Sequence, residues 1–474
     1  MRAPSWSVSV VLFAIVAVAC IGDAVETTTT PTTSTTATSS TTVPTTTMGE
    51  APGRPIREGP QASCFYLAGY LAVREGEGPN AIEALSGFDV ELAIASPADV
   101  LGESEAAEAL DNAVDLLSTN VDPLDVATAL ESAQPPVPAA PVYAMGLAGH
   151  WALKPGTEPI SSPGETIIGP NARVGDGVIA VVDSGIVDDP QVEDDLPAWM
   201  SPGNVLFDPD LDTETVGLDT DVASHGTFVT SLIRQLAPEY RVAFASAHAV
   251  PTGVIVERDD GLPVGLDYVT TELHVAEAMV RVMQRPELNA ENVAALNLSL
   301  GTYSCVPEED PTMVTTMAAM RLWFETFPSS VVFAAAGNEP YQEPFWPAGL
   351  SYYQLDATIN PDRVRGVAAV NESAEEVVWS RPVGASAAAA VPTRAPPRPW
   401  VTDLAPGCDL LGLRGGVDLD GATIVAWSGS SFATAVSAAL QTAGVPPTST
   451  GAATEYDYTA PDLHFERHGS CDLP

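Results

Sequence analysis

The chain has 474 residues, 45% of them hydrophobic, enough for one large α/β domain with extensions or for two or three domains. Its 62 acidic and 19 basic residues give a formal charge of −43, and Lys154 is the single lysine. A surface of that sign repels nucleic acid and anionic lipid, which excludes both as partners.

Residues 1–24, "MRAPSWSVSVVLFAIVAVACIGDA", carry one arginine, about a dozen apolar residues and then small ones. That is the layout of a secretory signal, and the apolar stretch is too short to span a bilayer. "AVAC", ending at Cys20, resembles a bacterial lipobox, with Ala17 where a larger aliphatic residue is usual. Release and attachment through a lipidated Cys20 therefore both stand as expectations, and Cys20 is the only membrane contact the sequence offers. Residues 25–59 form a linker whose part from 27 to 47, "TTTTPTTSTTATSSTTVPTTT", is low in complexity and open to O-glycosylation. The other cysteines, Cys64, Cys305, Cys408 and Cys471, are even in number in an exported chain and imply two disulfides, with three pairings open. None of them has zinc-knuckle spacing, so no zinc site is expected.

Residues 60–142 form a separate acidic segment, helical or α+β. "ESEAAEALDNAVDLLSTN" has helical spacing with acidic residues in its first turn, and "PLDVATALESA" predicts a shorter helix. The proline-rich "QPPVPAAPV" breaks the pattern and places a boundary near 134–142.

From about residue 165 the texture changes. Short continuous apolar runs, "GVIAVVD", "RVAFASA", "VAALNLSLG", "SVVFAAAGN" and "VRGVAAV", alternate with the helical patterns "HGTFVTSLIRQL", "TTELHVAEAMVRVM" and "PTMVTTMAAMRLWFETF". Uniformly apolar strands between amphipathic helices predict an α/β fold of three layers, a mainly parallel sheet with helices on both faces. Chemistry in such sheets gathers beyond the carboxyl ends of the strands.

Four short stretches put reactive groups there. "GVIAVVDSGI" ends its run on Asp183, a carboxylate that is costly at the end of a buried strand unless it is bonded or paired. Its plainer reading is a turn or cap residue. "ASHGTFVTSLIRQL" places His225, beside the small Gly226, at the start of a helix. A lone histidine is more often structural or exposed. "VVFAAAGNEP" closes a run with Gly337 and Asn338, ordinary turn chemistry whose side-chain amide is also able to donate to a developing oxyanion. "AWSGSSFATAVSAAL" sets Gly429, Ser430 and Ser431 at a helix threshold. Serine there reads first as an N-cap, but a helix N-terminus also favours negative charge on a nucleophilic hydroxyl.

Taken together, in the order Asp, His, Asn, Ser, these stretches resemble the subtilisin-like serine proteases (peptidase family S8) over roughly residues 165–445. "NLSLG" (297–301), "FWPAGL", "GVAAV", "VWSRPVG" and "DLAPG" (403–407) are similar to further family segments. The departures are the serine before His225, Phe228 in place of a second histidine, Ser430 for threonine, Phe432 for methionine and Ala435 for proline.

The resemblance implies a peptidase domain over 143–445 with a tail at 446–474, and Ser431 rather than Ser430 as nucleophile. It implies His225 as general base oriented by Asp183, an oxyanion hole of Asn338 with the Ser431 backbone N–H, and a peptide or protein substrate laid along Ser299, Leu300 and Gly301. Calcium is common in the family, but no cluster of ligands for it is legible and no cofactor is expected; a monomer is. Residues 60–142 are then either a removable propeptide or a retained accessory domain, the latter as in the actinobacterial mycosin-type proteases that the "HGTFV" and "SSFAT" wording resembles. The competing expectations are a pseudoprotease that binds peptides or cell-envelope partners, and an acyl hydrolase acting on esters.

Overall fold

The computed structural model describes residues 56–58, 64–145, 160–161, 175–186, 198–200, 204–206, 220–247, 250–257, 263–305, 313–380, 391–414, 424–447, 449–450, 454–455 and 471. The signal-like stretch, Cys20 and the threonine tract lie outside them.

The acidic segment is α+β. Together with β1 (Ile56–Glu58), which lies in the stretch read as linker, its strands are β2 (Phe65–Arg74), β3 (Leu92–Ala95), β4 (Val114–Thr119) and β5 (Ala139–Met145), the last running on past residue 142. Its helices are α1 (Gly78–Ala84), α2 (Ala98–Leu101), α3 (Glu105–Asp111) and α4 (Pro123–Glu131). Ser104 caps α3 by accepting from the Ala107 N–H, and Asp122 caps α4 by accepting from the Leu124 N–H. The long helix expected over "ESEAAEALDNAVDLLSTN" is corrected here, because α3 stops at Asp111 and the second half is β4. The apolar residues that kept helical spacing with α3, Val114, Leu116 and Leu117, are buried instead by pairing β4 between β2 and β3. Tertiary pairing overrides local propensity at that point.

The remaining elements are β6 (Ile160–Ser161), β7 (Val178–Asp183), β8 (Val205–Leu206), α5 (Thr220–Leu236), β9 (Arg241–Ser246), β10 (Val250–Glu257), β11 (Pro263–Thr271), α6 (Glu272–Met283), β12 (Val293–Leu298), β13 (Thr302–Tyr303), α7 (Val314–Thr326) and β14 (Val331–Ala335). They continue with β15 (Phe345–Trp346), β16 (Val364–Val370), β17 (Val377–Ser380), β18 (Val391–Arg394), β19 (Asp403–Pro406), β20 (Leu410–Leu413), β21 (Ile424–Trp427), α8 (Ser430–Thr442), β22 (Ser449–Thr450) and β23 (Thr454–Glu455).

The central sheet runs in the order β22-β23-β19-β16-β14-β12-β7-β9-β8. Every neighbouring pair in it is parallel except β22 with β23. Because side chains alternate across a strand, β7 feeds both faces. Val178, Ala180 and Val182 join the core made with α6 and α7, whereas Ile179 and Val181 join the core made with α5 and α8. This is the three-layer α/β arrangement that the alternating apolar runs predict.

A second sheet has the order β10-β11-β5-β2-β4-β3, with β1 beside β2. It takes strands from both parts of the chain, since Thr270 and Thr271 of β11 pair with Met145 and Ala144 of β5. Further links join the two parts. Cys64 is disulfide-bonded to Cys305, and Ser104 Oγ donates to Glu277 Oε1 at 2.8 Å. Buried Glu272, at the start of α6, accepts from the Tyr143 N–H of β5 at 3.1 Å and from the N–H and hydroxyl of Thr316 in α7 at 2.9 and 2.6 Å. The second disulfide, Cys408 to Cys471, ties the tail to the turn after β19. Two disulfides fit a chain that folds in an oxidising compartment, and among the described residues no helix is long and apolar enough to cross a membrane.

Candidate active site

Three neighbouring strands of the central sheet, β7, β12 and β14, end side by side, with Asp183 at the carboxyl end of β7, Ser299, Leu300 and Gly301 just beyond β12 and Asn338 just beyond β14. Asp183 is the last residue of β7 and has the same parity as Ile179 and Val181, so its carboxylate is directed to the face covered by α5 and α8. There it meets His225, whose Nδ1 lies 2.7 Å from Asp183 Oδ1, with both side chains buried. The same carboxylate oxygen accepts from the Ser184 N–H at 2.7 Å and the Ser184 hydroxyl at 3.1 Å, while among the described residues Oδ2 has no hydrogen-bond partner. A carboxylate at Nδ1 fixes the imidazole tautomer and leaves Nε2 as the basic nitrogen.

His225 does not open its helix as the sequence pattern predicts. The helix α5 begins at Thr220, which places His225 in its second turn. Gly226 is what allows the helix to come so near the end of β7, since a Cβ there would lie 2.2 Å from the Gly185 carbonyl oxygen. The imidazole packs against Trp427 (ring centroids 5.6 Å apart, edge-on) and Phe432 (5.2 Å), and Phe228 lies beneath at 4.6 Å from the Phe432 ring. Phe228 and Phe432, two separate departures in the sequence comparison, thus form one aromatic bed. Trp427 belongs to the same bed, and nothing in its local sequence marks it.

The serines do not cap α8. Gly429 occupies the cap position, and Ser430 and Ser431 are the first two helical residues. Asn338 supplies the cap from outside the helix, its Oδ1 accepting from the Ser430 N–H at 2.7 Å. The Phe432 and Ala433 N–H groups both bond the Gly429 carbonyl. Among the described residues, neither the Ser431 N–H nor Asn338 Nδ2 has an acceptor. Because Oδ1 is taken by Ser430, Nδ2 is the amide group left to donate.

Ser431 and Ser299 bond each other reciprocally. Ser431 Oγ donates to the Ser299 carbonyl at 2.8 Å, and Ser299 Oγ donates to the Ser431 carbonyl at 2.7 Å. Asn297 Nδ2 supports Ser299 Oγ at 2.8 Å. Leu300 and Gly301 follow and are buried, with Gly301 so close to Phe345 and the Trp346 carbonyl that a Cβ would lie 2.4 Å from each. The structure therefore joins Asp183 to His225, Ser431 to Ser299, and Asn338 to Ser430. No hydrogen bond joins His225 to Ser431, although the imidazole packs on Phe432, the next residue along.

The turn that carries Asn338 contains Gly337 at φ 89°, in the left-handed region, where a Cβ would also meet the Tyr303 hydroxyl at 2.8 Å. The next residue, Glu339, is buried, and its Oε2 accepts from Tyr303 Oη at 2.7 Å and from the Asn338 N–H at 3.2 Å. Burial, and then the neighbouring Glu339 charge, hold the Tyr303 hydroxyl well above its usual range, so it stays a donor. Among the described residues no group of three or more His, Cys, Asp or Glu side chains is placed to hold a metal. The site offers a carboxylate–imidazole pair, a hydroxyl at a helix N-terminus and two unpaired N–H donors beside it.

No protein-family model matches the chain, and no curated protein does either. Solved structures that resemble it include the prenylagaramide maturation protease PagA, at 18% identity over 57% of this chain and 75% of that one, with a TM-score of 0.36. A second is the self-cleaved protease domain of PatA, at 18% identity over 57% of this chain and 79% of that one, with a TM-score of 0.33. A third is a lanthipeptide protease, at 16% identity over 56% of this chain and 72% of that one, with a TM-score of 0.33. Likeness at that level of identity and score bears on neither activity nor substrate.

Proposed function

We propose that the protein is an exported serine endopeptidase, with Ser431 as nucleophile, His225 as general base and Asp183 as the group that orients His225 and stabilises its charged form. The observation that carries this reading is the buried Asp183–His225 hydrogen bond of 2.7 Å, set against the helix end that bears Ser431. In the reaction, the Ser431 hydroxyl leaves the Ser299 carbonyl for His225 Nε2 and attacks the scissile carbonyl carbon as the proton passes to the imidazole. The carbonyl oxygen, now negative, receives the two unpaired donors, Asn338 Nδ2 and the Ser431 N–H. The imidazolium gives its proton to the leaving amine, and water releases the acyl group by the same steps in reverse order. Substrate lies as an extended strand along Ser299, Leu300 and Gly301.

The acidic segment is best read as a retained domain. The disulfide to Cys305, the shared strand pairing of β5 with β11 and the Glu272 bonds to Tyr143 and Thr316 all support that reading. A cut in the linker before Cys64 would then leave it in place.

Wild type and Ser431→Ala, expressed with their full chains, test both parts. Wild type should cleave peptide substrates and be labelled by a fluorophosphonate at Ser431, and Ser431→Ala should do neither. A wild type that resists the label supports the peptide-binding reading, and one that cleaves esters alone supports the acyl hydrolase. On non-reducing gels the acidic segment should stay with the chain after any processing. Its release without reductant would overturn retention and leave the catalytic reading standing.

A further inference from the structure

Beyond β14 the chain leaves the sheet through Ala336, Gly337 and Asn338, and each of these three carbonyls meets a donor from the β17–β18 region. Arg398 Nη1 donates to the Ala336 carbonyl at 3.0 Å and to the Gly337 carbonyl at 3.1 Å. The Trp379 N–H donates to the Asn338 carbonyl at 2.8 Å. The other edge of the guanidinium is held by Glu376 Oε1, at 2.9 Å from Nε and 2.5 Å from Nη2. Only 1% of the Arg398 side chain is exposed.

A cation so buried needs partners on every side, and a planar guanidinium is suited to bridging two carbonyls and a carboxylate at once. The partners here are the two peptide units immediately before Asn338. One of them is the left-handed Gly337, a residue with no side chain of its own to fix the turn. On the opposite side Asn338 is held through its amide oxygen by Ser430. The direction of Asn338 Nδ2 is thus set by two anchors, the helix end in front and the Arg398–Glu376 pair behind.

We propose that Arg398 is a positioning residue for the oxyanion donor: clamped by Glu376, it fixes the carbonyls of Ala336 and Gly337 and through them the aim of the Asn338 amide. This rests on the reading of Asn338 as the oxyanion donor. A small error in the placement of such a donor weakens transition-state binding far more than ground-state binding. Loss of the clamp therefore lowers kcat and spares KM.

A double-mutant cycle on the full-length protein tests it, with kcat and KM on a peptide substrate as the readout. Arg398→Met should lower kcat by roughly 10- to 100-fold, with KM within about twofold. In an Asn338→Ala background the same change should cost less than about threefold, because the donor it aims is already gone. Arg398→Lys, which keeps a donor, should recover part of the loss. Equal losses in both backgrounds would mark Arg398 as a merely structural ion pair and overturn the clamp, while a large effect of Asn338→Ala itself would keep the oxyanion reading. An Asn338→Ala protein with unchanged kcat would overturn both. Where Arg398→Met does not fold, Glu376→Gln loosens the guanidinium without vacating its place and enters the same cycle with the same two outcomes.

Discussion

Replacing Asp183 by Asn separates the charge of the acid from its geometry. Asp183 Oδ1 accepts from His225 and from two donors of Ser184, whereas among the described residues Oδ2 meets no donor. An amide placed there keeps its oxygen toward those three donors and puts its NH2 group where Oδ2 was. The His225 tautomer is then retained, and a buried unpaired amide costs about 1–3 kcal/mol of stability. What disappears is the attraction between the carboxylate and the imidazolium that forms during the reaction. At a charge separation of about 4 Å and an effective dielectric constant near 20, that attraction is about 4 kcal/mol. At about 1.4 kcal/mol per factor of ten, kcat should fall by roughly 10³. The assay is kcat on a peptide substrate for the folded variant, with Ser431→Ala as the baseline. A folded Asp183→Asn protein within tenfold of wild type would refute the idea that this carboxylate supports charge on His225.

Gly226→Ala should destabilise the fold by about 1–3 kcal/mol or more, because its Cβ would meet a backbone oxygen that cannot swing aside; an unchanged Tm would refute the close approach of α5 to β7. For Glu272, burial raises the carboxyl to about 7 from a usual 4.5, against the pull of three hydrogen-bond donors. The folded chain then keeps a proton that the unfolded chain releases, so this contribution is complete below about pH 4.5 and is lost as pH rises through 7, on the order of 3 kcal/mol in all. Urea midpoints of wild type should therefore fall between pH 5 and pH 8 by more than those of Glu272→Gln, and parallel pH dependences in the two proteins would refute the assignment.

The strands of the central sheet were legible because β7, β9, β12, β14 and β16 are buried on both faces and read as unbroken apolar runs. The residues at their ends stood out only as a set, because a polar side chain after such a run reads first as a turn or cap and it was the order Asp, His, Asn, Ser that set them apart. Where a short strand runs into a helical or proline-rich pattern the signal fails, even though β5 is buried throughout. The β4 strand kept helical spacing with α3, and β5 lies partly within a proline-rich stretch that reads as a break. The pairing of the four cysteines was open for a different reason, since partners 241 and 63 residues apart share no local pattern. Arg398 is hidden in the same way, because its carbonyl acceptors lie about sixty residues earlier and carry no side-chain signature. Phe228 and Phe432 read as two independent oddities until their rings were found in contact.

The last pairing of the central sheet has a consequence for truncation. The short strand β23 lies against β19, and Cys471 is fastened to Cys408 just beyond that strand. Without these final residues, the outer peptide groups of β19 would face water as an open template for another chain. Trimming the end of the protein would therefore invite self-association before it touched the reactive side chains.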